Sequence, residues 1–545
     1  MSESLEDVAV PSTDSNVTVT SARSFSSSGL KLPFDVLFQV AQHICPAPTL
    51  CSFMLTCRTV YHGSALLLLR GKISVAKTLP KLVSFCRFMR RENSRALHLR
   101  DLRIDTTRWR YRDFDDTTIR VLDRLADVIS RAKRIEVLEI QHSEQLLFHS
   151  SRLAHAVSSL TKLKTITLTG VGLCTQAACM ELKSPVTSAS LTYMDVDEMG
   201  LPLSTAIENV DPTELLKNFQ ETLEELSVTC HTDDGFAQTF LRTPFLHVKE
   251  LSLETGASIL DQYPFMVAFP NVSEFSWSEE FDWGFADIQG AHDDNIALTG
   301  ELWPELSLLD AGIHCCFVSG LQSRVQEWCV GLLDQTNFGQ FYEVMGLLRP
   351  SVIQLFMGAA MVQKTDALFP PSDVKRVALS VDLDELIGEP TKAQHVVEAL
   401  PRHLQVMPLR ELILVFRHRL PTMSEGYPPS YDTSKSDPDS EEFDEYFSFR
   451  QVESFTHSDP IRDYFDNTAT LVMTAQTLAN AIPTLEKIYI AADFRYLKLS
   501  AKIVRDEEGI AEFHALSQEE EDSILDGIEH YVLWSIRYRS PPSQI

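Results

Sequence analysis

The chain lacks the motifs that most enzymes use to hold phosphates, metals or nucleophiles. It contains neither a Gly-x-x-x-x-Gly-Lys-Ser/Thr loop nor a Gly-x-Gly-x-x-Gly turn, so phosphate binding has no visible basis. It also contains no Gly-x-Ser-x-Gly elbow and no His-Glu-x-x-His pair. Only 10 cysteines occur and none forms a Cys-x-x-Cys pair, which argues against zinc ligation and predicts reduced, mostly buried thiols. We therefore expect no cofactor and no metal centre.

Long apolar runs and a secretory leader are missing as well. No segment approaches the length of a bilayer-spanning helix. The N-terminal stretch 1–28 is acidic and rich in serine and threonine, without the basic and apolar regions of a signal peptide. Its composition predicts a disordered leader. We expect a protein of the cytoplasm, the nucleus or both.

Charge is distributed unevenly along the chain. The net charge is −28, yet residues 31–110 hold 14 Lys plus Arg against 4 Asp plus Glu. The acidic remainder would repel phosphates, which argues against nucleic acid as the main ligand. The arginines between Arg87 and Arg110 lack the interleaved aromatics of a stacking platform. We interpret them as a solvated face.

Residues 31–69 carry the most informative pattern. Leu32-Pro33 favours the start of a helix, because proline fixes φ and lacks an N–H that the first turn does not need. Three apolar stripes follow: Val36, Leu37, Val40 and Ile44; then Leu50, Phe53 and Met54; then Val60, Ala65, Leu66 and Leu69. Three short helices cannot bury a sufficient core alone. The segment is therefore either a helical cap on a larger domain or a docking module.

The order of these features resembles the F-box, a small helical module that docks onto the Skp adaptor of cullin-type ubiquitin ligases. Leu32-Pro33, Ile44, Leu50, Leu55, Cys57-Arg58 and the closing leucines carry the resemblance. Phe34-Asp35 and the proline-rich loop 45–48 depart from the family pattern without removing an apolar contact. The resemblance implies that the adaptor-binding side chains are Leu32, Pro33, Val36, Leu37, Val40, Ile44, Leu50, Leu55 and Leu68.

A second pattern, apolar-x-x-apolar-x-apolar, recurs along the rest of the chain. Clear copies begin at Leu163, Leu223 and Val248, and each predicts a short buried strand after a helical stretch. The strand anchors are Leu97, Leu138, Ile166, Leu191, Leu226, Leu251, Phe275, Leu306, Leu355, Val377, Leu412 and Ile488. Several intervals between anchors are 22 to 31 residues, close to the length of a strand-plus-helix repeat.

This pattern resembles the leucine-rich repeat in a degenerate form. The asparagine or cysteine that usually follows the strand is missing, and residues such as Val171, His231 and Gly256 stand in its place. No single unit would bury its own apolar face, so stability would come from stacked neighbours. An ordinary α/β domain is the alternative, because its strands also contain short apolar runs.

We predict an α/β fold in which a three-helix F-box precedes an irregular leucine-rich-repeat solenoid, with parallel strands on the concave face and helices outside. The predicted domains are a leader (1–28), the F-box (29–75), the solenoid (76–500) with an acidic disordered insert (421–460), and a helical cap (501–545). Within that cap we expect helices at Glu512–Leu516 and Asp522–Tyr538.

Two aromatic segments are candidate substrate-binding sites. Phe281 and Trp283 follow the strand that ends at Trp277, where they would either anchor a partner or pack on the next repeat. Phe443 and Tyr446 lie in the acidic insert, whose proline, serine and acidic residues are typical of an exposed loop. That loop either has no function or attracts a basic protein substrate.

By the resemblance, the chain would be the substrate-recognition subunit of a Skp-cullin-F-box ubiquitin ligase. It would bind the Skp adaptor, and through it a cullin, and hold a protein substrate near the ubiquitin-charged enzyme. Catalysis would then come from proximity, without a bond-making residue in this chain. A non-ligase interaction scaffold is the alternative, and an enzyme with a scattered site is a third.

Overall fold

The computed structural model describes most of the chain in ranges separated by gaps. They are 34–43, 47–56, 58–75, 77–106, 109, 114–194, 210–231, 244–255, 263–279, 288–299, 302–364, 368–386, 390–418, 460–465, 468–492, 497–517 and 519–520. The chain divides into two compact units, Met1–Leu68 and Leu69–Ile545. Among the described helices, none is long and apolar enough to cross a membrane.

The first unit consists of short helices: α1 (Phe34–Gln42), α2 (Ala47–Met54) and α3 (Arg58–Leu68). α3 contacts both of the others. Their buried apolar residues are Ala41, Leu50, Met54, Val60 and Ala65. The compact unit ends at Leu68, earlier than the predicted boundary at residue 75, because the residues that follow leave the helical pattern and join the sheet of the second unit.

The second unit contains one sheet of 16 strands. They are β1 (Lys72–Val75), β2 (Asp101–Ile104), β3 (Val137–Ile140), β4 (Thr165–Val171), β5 (Ser188–Met194), β6 (Glu225–His231), β7 (Glu250–Thr255), β8 (Glu274–Glu279), β9 (Glu305–Ala311), β10 (Arg324–Leu333), β11 (Val352–Gly358), β12 (Arg376–Asp382), β13 (Glu411–Arg417), β14 (Lys487–Ala492), β15 (Leu497–Arg505) and β16 (Ala511–Ala515). Each strand pairs with its neighbours in sequence. Pairing is parallel from β1 to β14 and antiparallel from β14 to β16.

Parallel neighbours need a crossover connection, and among the described residues helices lie in most of these connections, although none lies between β6 and β7. The helices of this unit are α4 (Leu79–Arg91), α5 (Asn93–Ala96), α6 (Asp116–Arg131), α7 (Ser143–His149), α8 (Ser151–Ser158), α9 (Leu173–Glu181), α10 (Pro212–Leu216), α11 (Tyr263–Ala268), α12 (Ile288–Thr299), α13 (Ile313–Ser319), α14 (Phe338–Leu348), α15 (Ala359–Lys364), α16 (Pro390–Leu404), α17 (Pro460–Phe465) and α18 (Thr468–Ala481). Short 3-10 turns lie at Lys217–Phe219 and Asp384–Leu386. This mixed α/β arrangement is compatible with a solenoid-like fold.

One face of the sheet packs on the helices and forms the core. In-register pairing lines up buried side chains across successive strands, as in Leu102, Leu138 and Ile166 of β2, β3 and β4. These residues and the apolar residues of the helices belong to one continuous cluster that runs from Leu69 to Ile503. Because strand side chains alternate between faces, the residues between them lie on the other side, which we call the outward face.

A buried carboxylate joins α7 to the start of α9. Glu144 is 2% exposed, and its oxygens accept hydrogen bonds from the backbone N–H groups of Cys174 and Thr175 at 3.0 and 2.9 Å. The Thr175 hydroxyl donates to the same side chain at 3.1 Å. Gly172 leaves the space that this carboxylate occupies, since a Cβ there would lie 2.5 Å from Cδ of Glu144. The network satisfies the first N–H groups of α9.

Most of the predicted strand anchors lie in strands; Leu97 is the exception. Leu97 follows α5 and is 47% exposed, while the strand of that region is β2. The repeat pattern did not predict β1, β10 or β15, and β15 extends into the helical cap predicted for 501–545. The prediction of a helix at Glu512–Leu516 is wrong, because Ala511–Ala515 forms β16, whose alternating apolar and polar residues suit a strand. The predicted helix Asp522–Tyr538 lies outside the described residues.

Candidate protein-interaction surfaces

The first unit carries exposed aliphatic side chains on α1 and at the end of α2. Val36 and Val40 lie four residues apart, so they share one face of α1. They are 37% and 45% exposed, and Leu55 is 83% exposed. The cost of leaving these side chains in water makes them candidate contacts for a partner.

The remaining residues of the predicted adaptor-binding set take different positions. Leu50 is buried within the first unit, so it supports the helices and is not free to contact a partner. Leu37 and Leu68 are half-buried. Leu32, Pro33 and Ile44 lie outside the described residues. Among the described residues of this unit, the exposed apolar side chains of the predicted set are therefore Val36, Val40 and Leu55.

The second unit presents its outward face along β5 to β9, where polar side chains form two rows. Glu225, Glu250 and Glu274 are register partners on β6, β7 and β8, and we call them the glutamate row. Two residues further along each strand the register aligns a serine row: Ser190, Ser227, Ser252 and Ser276. Asp310 of β9 pairs with Ser276 and extends that row. The two rows line a shallow groove of about 280 Å³.

The glutamate row concentrates negative charge. Partial burial, followed by the charges of Glu225 and Glu274, raises the pKa of Glu250. Within the part of the chain that the structure describes, none of the three glutamates forms an ion pair. A row of like charges on neighbouring strands is unfavourable for the folded chain itself. Its charge is complementary to a cationic partner.

Asp310 is the most buried acid of the groove. Burial raises its pKa to about 6, and the hydrogen bond from the Ser276 hydroxyl, at 3.4 Å, opposes that rise. Beside it on β10, Cys329 also has its pKa raised, by burial and then by Asp310 and Glu327. The Thr229 hydroxyl donates to Glu254 at 3.0 Å, one row further along. The groove is thus lined by hydroxyl and carboxylate groups that can accept hydrogen bonds from a cation.

On the outward face near β1, acidic side chains form ion pairs with basic ones. Glu139 of β3 contacts Arg103 at 3.1 Å and Lys72 at 3.7 Å. Lys164 contacts Glu136 at 3.3 Å. Lys72 and Arg103 belong to the basic stretch of residues 31–110. Among the described residues, these acidic side chains near β1 therefore have basic partners, whereas those of the glutamate row have none.

At the other end of the sheet the outward face carries an apolar cluster beside the charged row of Arg376, Glu411 and Lys487. Ala378, Ile413, Val415 and Tyr489 form a cluster that is separate from the core, and Ala491 packs against it. We call these five residues the end cluster. Its four main members are between 3% and 7% exposed. By contrast, the serine row is only half-buried.

The positions of the predicted substrate-binding residues are not described by the structure. Phe281, Trp283, Phe443 and Tyr446, together with the acidic insert, lie outside the described residues, except that α17 begins at Pro460. The apolar repeat pattern alone does not reveal the glutamate row. Its signal was present in the repeats, since Glu-Leu-Ser-Val, Glu-Leu-Ser-Leu and Glu-Phe-Ser-Trp begin β6, β7 and β8. An acidic residue at a fixed repeat position predicts an acidic row once neighbouring strands pair in register.

No metal site emerges from the described residues, which contain no group of three or more His, Cys, Asp or Glu side chains placed to hold an ion. The cysteines in those ranges are free thiols, five of them buried. A scan against protein-family models finds no matching family, and a search of curated proteins finds no match.

Proposed function

We propose that this chain is the substrate-recognition subunit of a Skp-cullin-F-box type ubiquitin ligase. Residues 29–75 would bind the Skp adaptor, and the outward face of β5 to β9 would hold a protein substrate. The body would be an irregular leucine-rich-repeat array that follows the F-box. Bond making would take place on the ubiquitin-charged enzyme, with this chain raising the effective concentration of substrate lysines.

The observation that carries the proposal is the separate helical unit that ends at Leu68 and leaves aliphatic side chains in water. Its sequence resembles an F-box, and Val36, Val40 and Leu55 belong to the set that the resemblance assigns to the adaptor. Aliphatic side chains in the centre of an interface supply binding energy through burial. The large second unit, with one face open along β6 to β8, supports the role of a recruiter.

The glutamate row supports a substrate of basic character. Three carboxylates on neighbouring strands, which form no ion pair within the described residues, favour a lysine- or arginine-rich segment over an acidic one. The serine row beside them offers hydroxyl groups that both donate and accept hydrogen bonds. An extended basic segment is therefore the substrate feature that this face fits best.

Co-precipitation of the full chain with the adaptor tests the proposal. Val36→Asp with Val40→Asp places charge on an exposed helix face and leaves the buried residues of the unit unchanged. The double variant should lose at least about tenfold in adaptor recovery, since interface anchors cost roughly 2 kcal/mol or more when removed. Leu298→Asp with Met473→Asp, at exposed apolar positions of the second unit, is the matched control and should retain recovery.

The outcomes separate the alternatives. Recovery of adaptor and cullin with the wild-type chain and the control, but not with the double variant, supports the ligase. Recovery of adaptor without cullin favours the interaction scaffold. Equal adaptor recovery by the double variant and the wild-type chain contradicts binding through this face of α1.

A further inference from the structure

Two neighbouring helices of the second unit carry exposed arginines on the side that faces away from the core. The buried residues of α4 belong to the core, whereas Arg87, Arg90 and Arg91 of the same helix are exposed. α6 packs against α4 and exposes Arg120 and Arg124, which lie one helical turn apart. We call these five side chains the arginine face.

The charge of the arginine face is not balanced by the acids beside it. Asp123 and Asp127, in the middle of α6, both pair with Arg152 of α8, at 3.7 and 2.7 Å. Glu92, which follows α4, pairs with Arg95 at 2.8 Å. These acids are thus occupied by other arginines. Within the described residues, no member of the arginine face forms an ion pair.

Cys86 of α4 lies within range of arginines from both helices. Burial raises the pKa of its thiol to about 11, and the charges of Arg124 and then Arg90 oppose that rise. Salt screens charges beyond about 8–10 Å, so both guanidinium groups lie near this one residue. Together with the packing of α4 on α6, this places the arginines of the two helices on one surface.

The chemistry of this surface suits carboxylates that are distributed along a chain. A guanidinium group donates two parallel hydrogen bonds to one carboxylate, which a compact ammonium group does not. Packed helices have axes about 8–10 Å apart, so the arginine face spreads its charge over two helix widths. Spread charge fits a segment with several acidic side chains better than it fits a single phosphate group.

Other polyanions fit the arginine face less well. Phe85 and Phe88 of α4 are half-buried and pack against the core, and no large apolar side chain of α4 or α6 is exposed. The surface therefore offers neither a stacking platform for bases nor an anchor for a membrane. A long duplex would also extend over a chain whose net charge of −28 repels phosphates.

We propose that the arginine face is a second docking surface, which binds an acidic segment of a partner protein through several carboxylates. It lies on the helix side of the second unit, whereas the glutamate row lies on the outward face of the sheet. The two surfaces would select partners of opposite charge. Binding at the arginine face depends neither on a ligase function nor on a basic substrate.

Fluorescence anisotropy of the full chain with a labelled oligoglutamate peptide tests this docking surface. A peptide of about ten residues spans about 33 Å when extended, which is enough to cross both helices. The test variant is Arg87→Glu with Arg124→Glu. The matched control is Lys217→Glu with Arg402→Glu, which changes the net charge equally at exposed positions between β5 and β6 and between β12 and β13. Thermal melting shows whether each variant folds, and Arg87→Gln with Arg124→Gln replaces the test variant if charge reversal prevents folding.

At about 0.05 M NaCl the wild-type chain should bind the peptide, and the test variant should bind at least about tenfold more weakly. The Gln variant should bind about threefold more weakly, because it removes attraction without adding repulsion. The control should stay within about twofold of the wild-type chain, since its changes lie outside the arginine face.

Three outcomes would overturn the assignment. The first is an absence of peptide binding by the wild-type chain. The second is equal weakening in the test variant and the control, which would mean that total charge and not this surface holds the peptide. The third is tighter binding of duplex DNA or of phosphatidylserine vesicles than of oligoglutamate, with the same loss in the test variant, which would assign the surface to nucleic acid or to a membrane.

Discussion

Replacing Glu250 by Gln should stabilise the fold even though it removes a charge from the candidate binding surface. Glu250 stands between Glu225 and Glu274, and their charges contribute to the rise of its pKa. The folded chain therefore carries a repulsion that the unfolded chain does not. A surface that keeps such a repulsion has the charge pattern expected where a cationic partner would relieve it.

The size of the effect follows from the strand spacing. Neighbouring strands lie about 4.8 Å apart, and two unit charges about 5 Å apart in water repel by roughly 0.8 kcal/mol. Screening at physiological salt, with a Debye length of about 8 Å, roughly halves that value. With two neighbours, Glu250→Gln should raise the free energy of unfolding by roughly 0.5–1 kcal/mol.

Glu411 of β13 is the matched control. It stands at the start of its strand, as Glu250 does, but its neighbours are basic and not acidic. It contacts Lys487 at 3.2 Å and Arg376 at 3.8 Å, so Glu411→Gln should lower the free energy of unfolding by a similar amount. Urea unfolding of both variants at about 0.01 M and about 1 M NaCl measures the two effects, and both should shrink at high salt. Changes of the same sign, or changes that ignore salt, would refute the repulsion argument.

Two further predictions concern groups beneath the surface. The pKa of Asp310 is about 6 against 3.8, so its contribution to stability is full below about pH 3.8 and is lost as pH rises through about 6. The free energy of unfolding of the wild-type chain should therefore fall between about pH 3.8 and 6, and Asp310→Asn should reduce that fall by roughly 1–2 kcal/mol. Urea titrations that give the variant the same pH profile as the wild-type chain would contradict the raised pKa of Asp310. Gly172→Ala should displace the Glu144 carboxylate and cost roughly 2–4 kcal/mol by the same assay, through the loss of three hydrogen bonds to a charged group. Gly339→Ala in α14, where a Cβ meets nothing within 4 Å, should instead be neutral or stabilising.

The strands that the sequence predicts best are those with a plain apolar pattern between recognisable helices. Leu226, Leu251 and Phe275 stand at regular intervals in the sequence. They are register partners on neighbouring strands and are buried in the core. β10 is not among the predicted strands, although Val325, Trp328 and Val330 keep the apolar-x-x-apolar-x-apolar spacing; its register with β11 shifts between Cys329 and Gly331. The helix predicted at Glu512–Leu516 is wrong because antiparallel pairing with β15 decides the state of this short segment.

The candidate sites were predictable in part. Resemblance pointed to α1, and Val36 and Val40 are exposed there, but sequence alone did not distinguish them from Leu50, which is buried. The glutamate row depends on which residues become neighbours across strands, and that follows from the register and not from any one repeat. The end cluster was hidden for the same reason, since Ile413 and Val415 look like ordinary core residues until the helices are seen to pack on the other face.

Direct binding of the purified chain to a purified Skp adaptor tests the central claim most directly. Isothermal titration calorimetry on the wild-type chain should give one site with a Kd below about 1 μM, in the range of a specific interface. The Val36→Asp, Val40→Asp variant should bind at least about tenfold more weakly, with unchanged melting. An absence of binding heat at several temperatures, with a chain that melts cooperatively, would contradict the account.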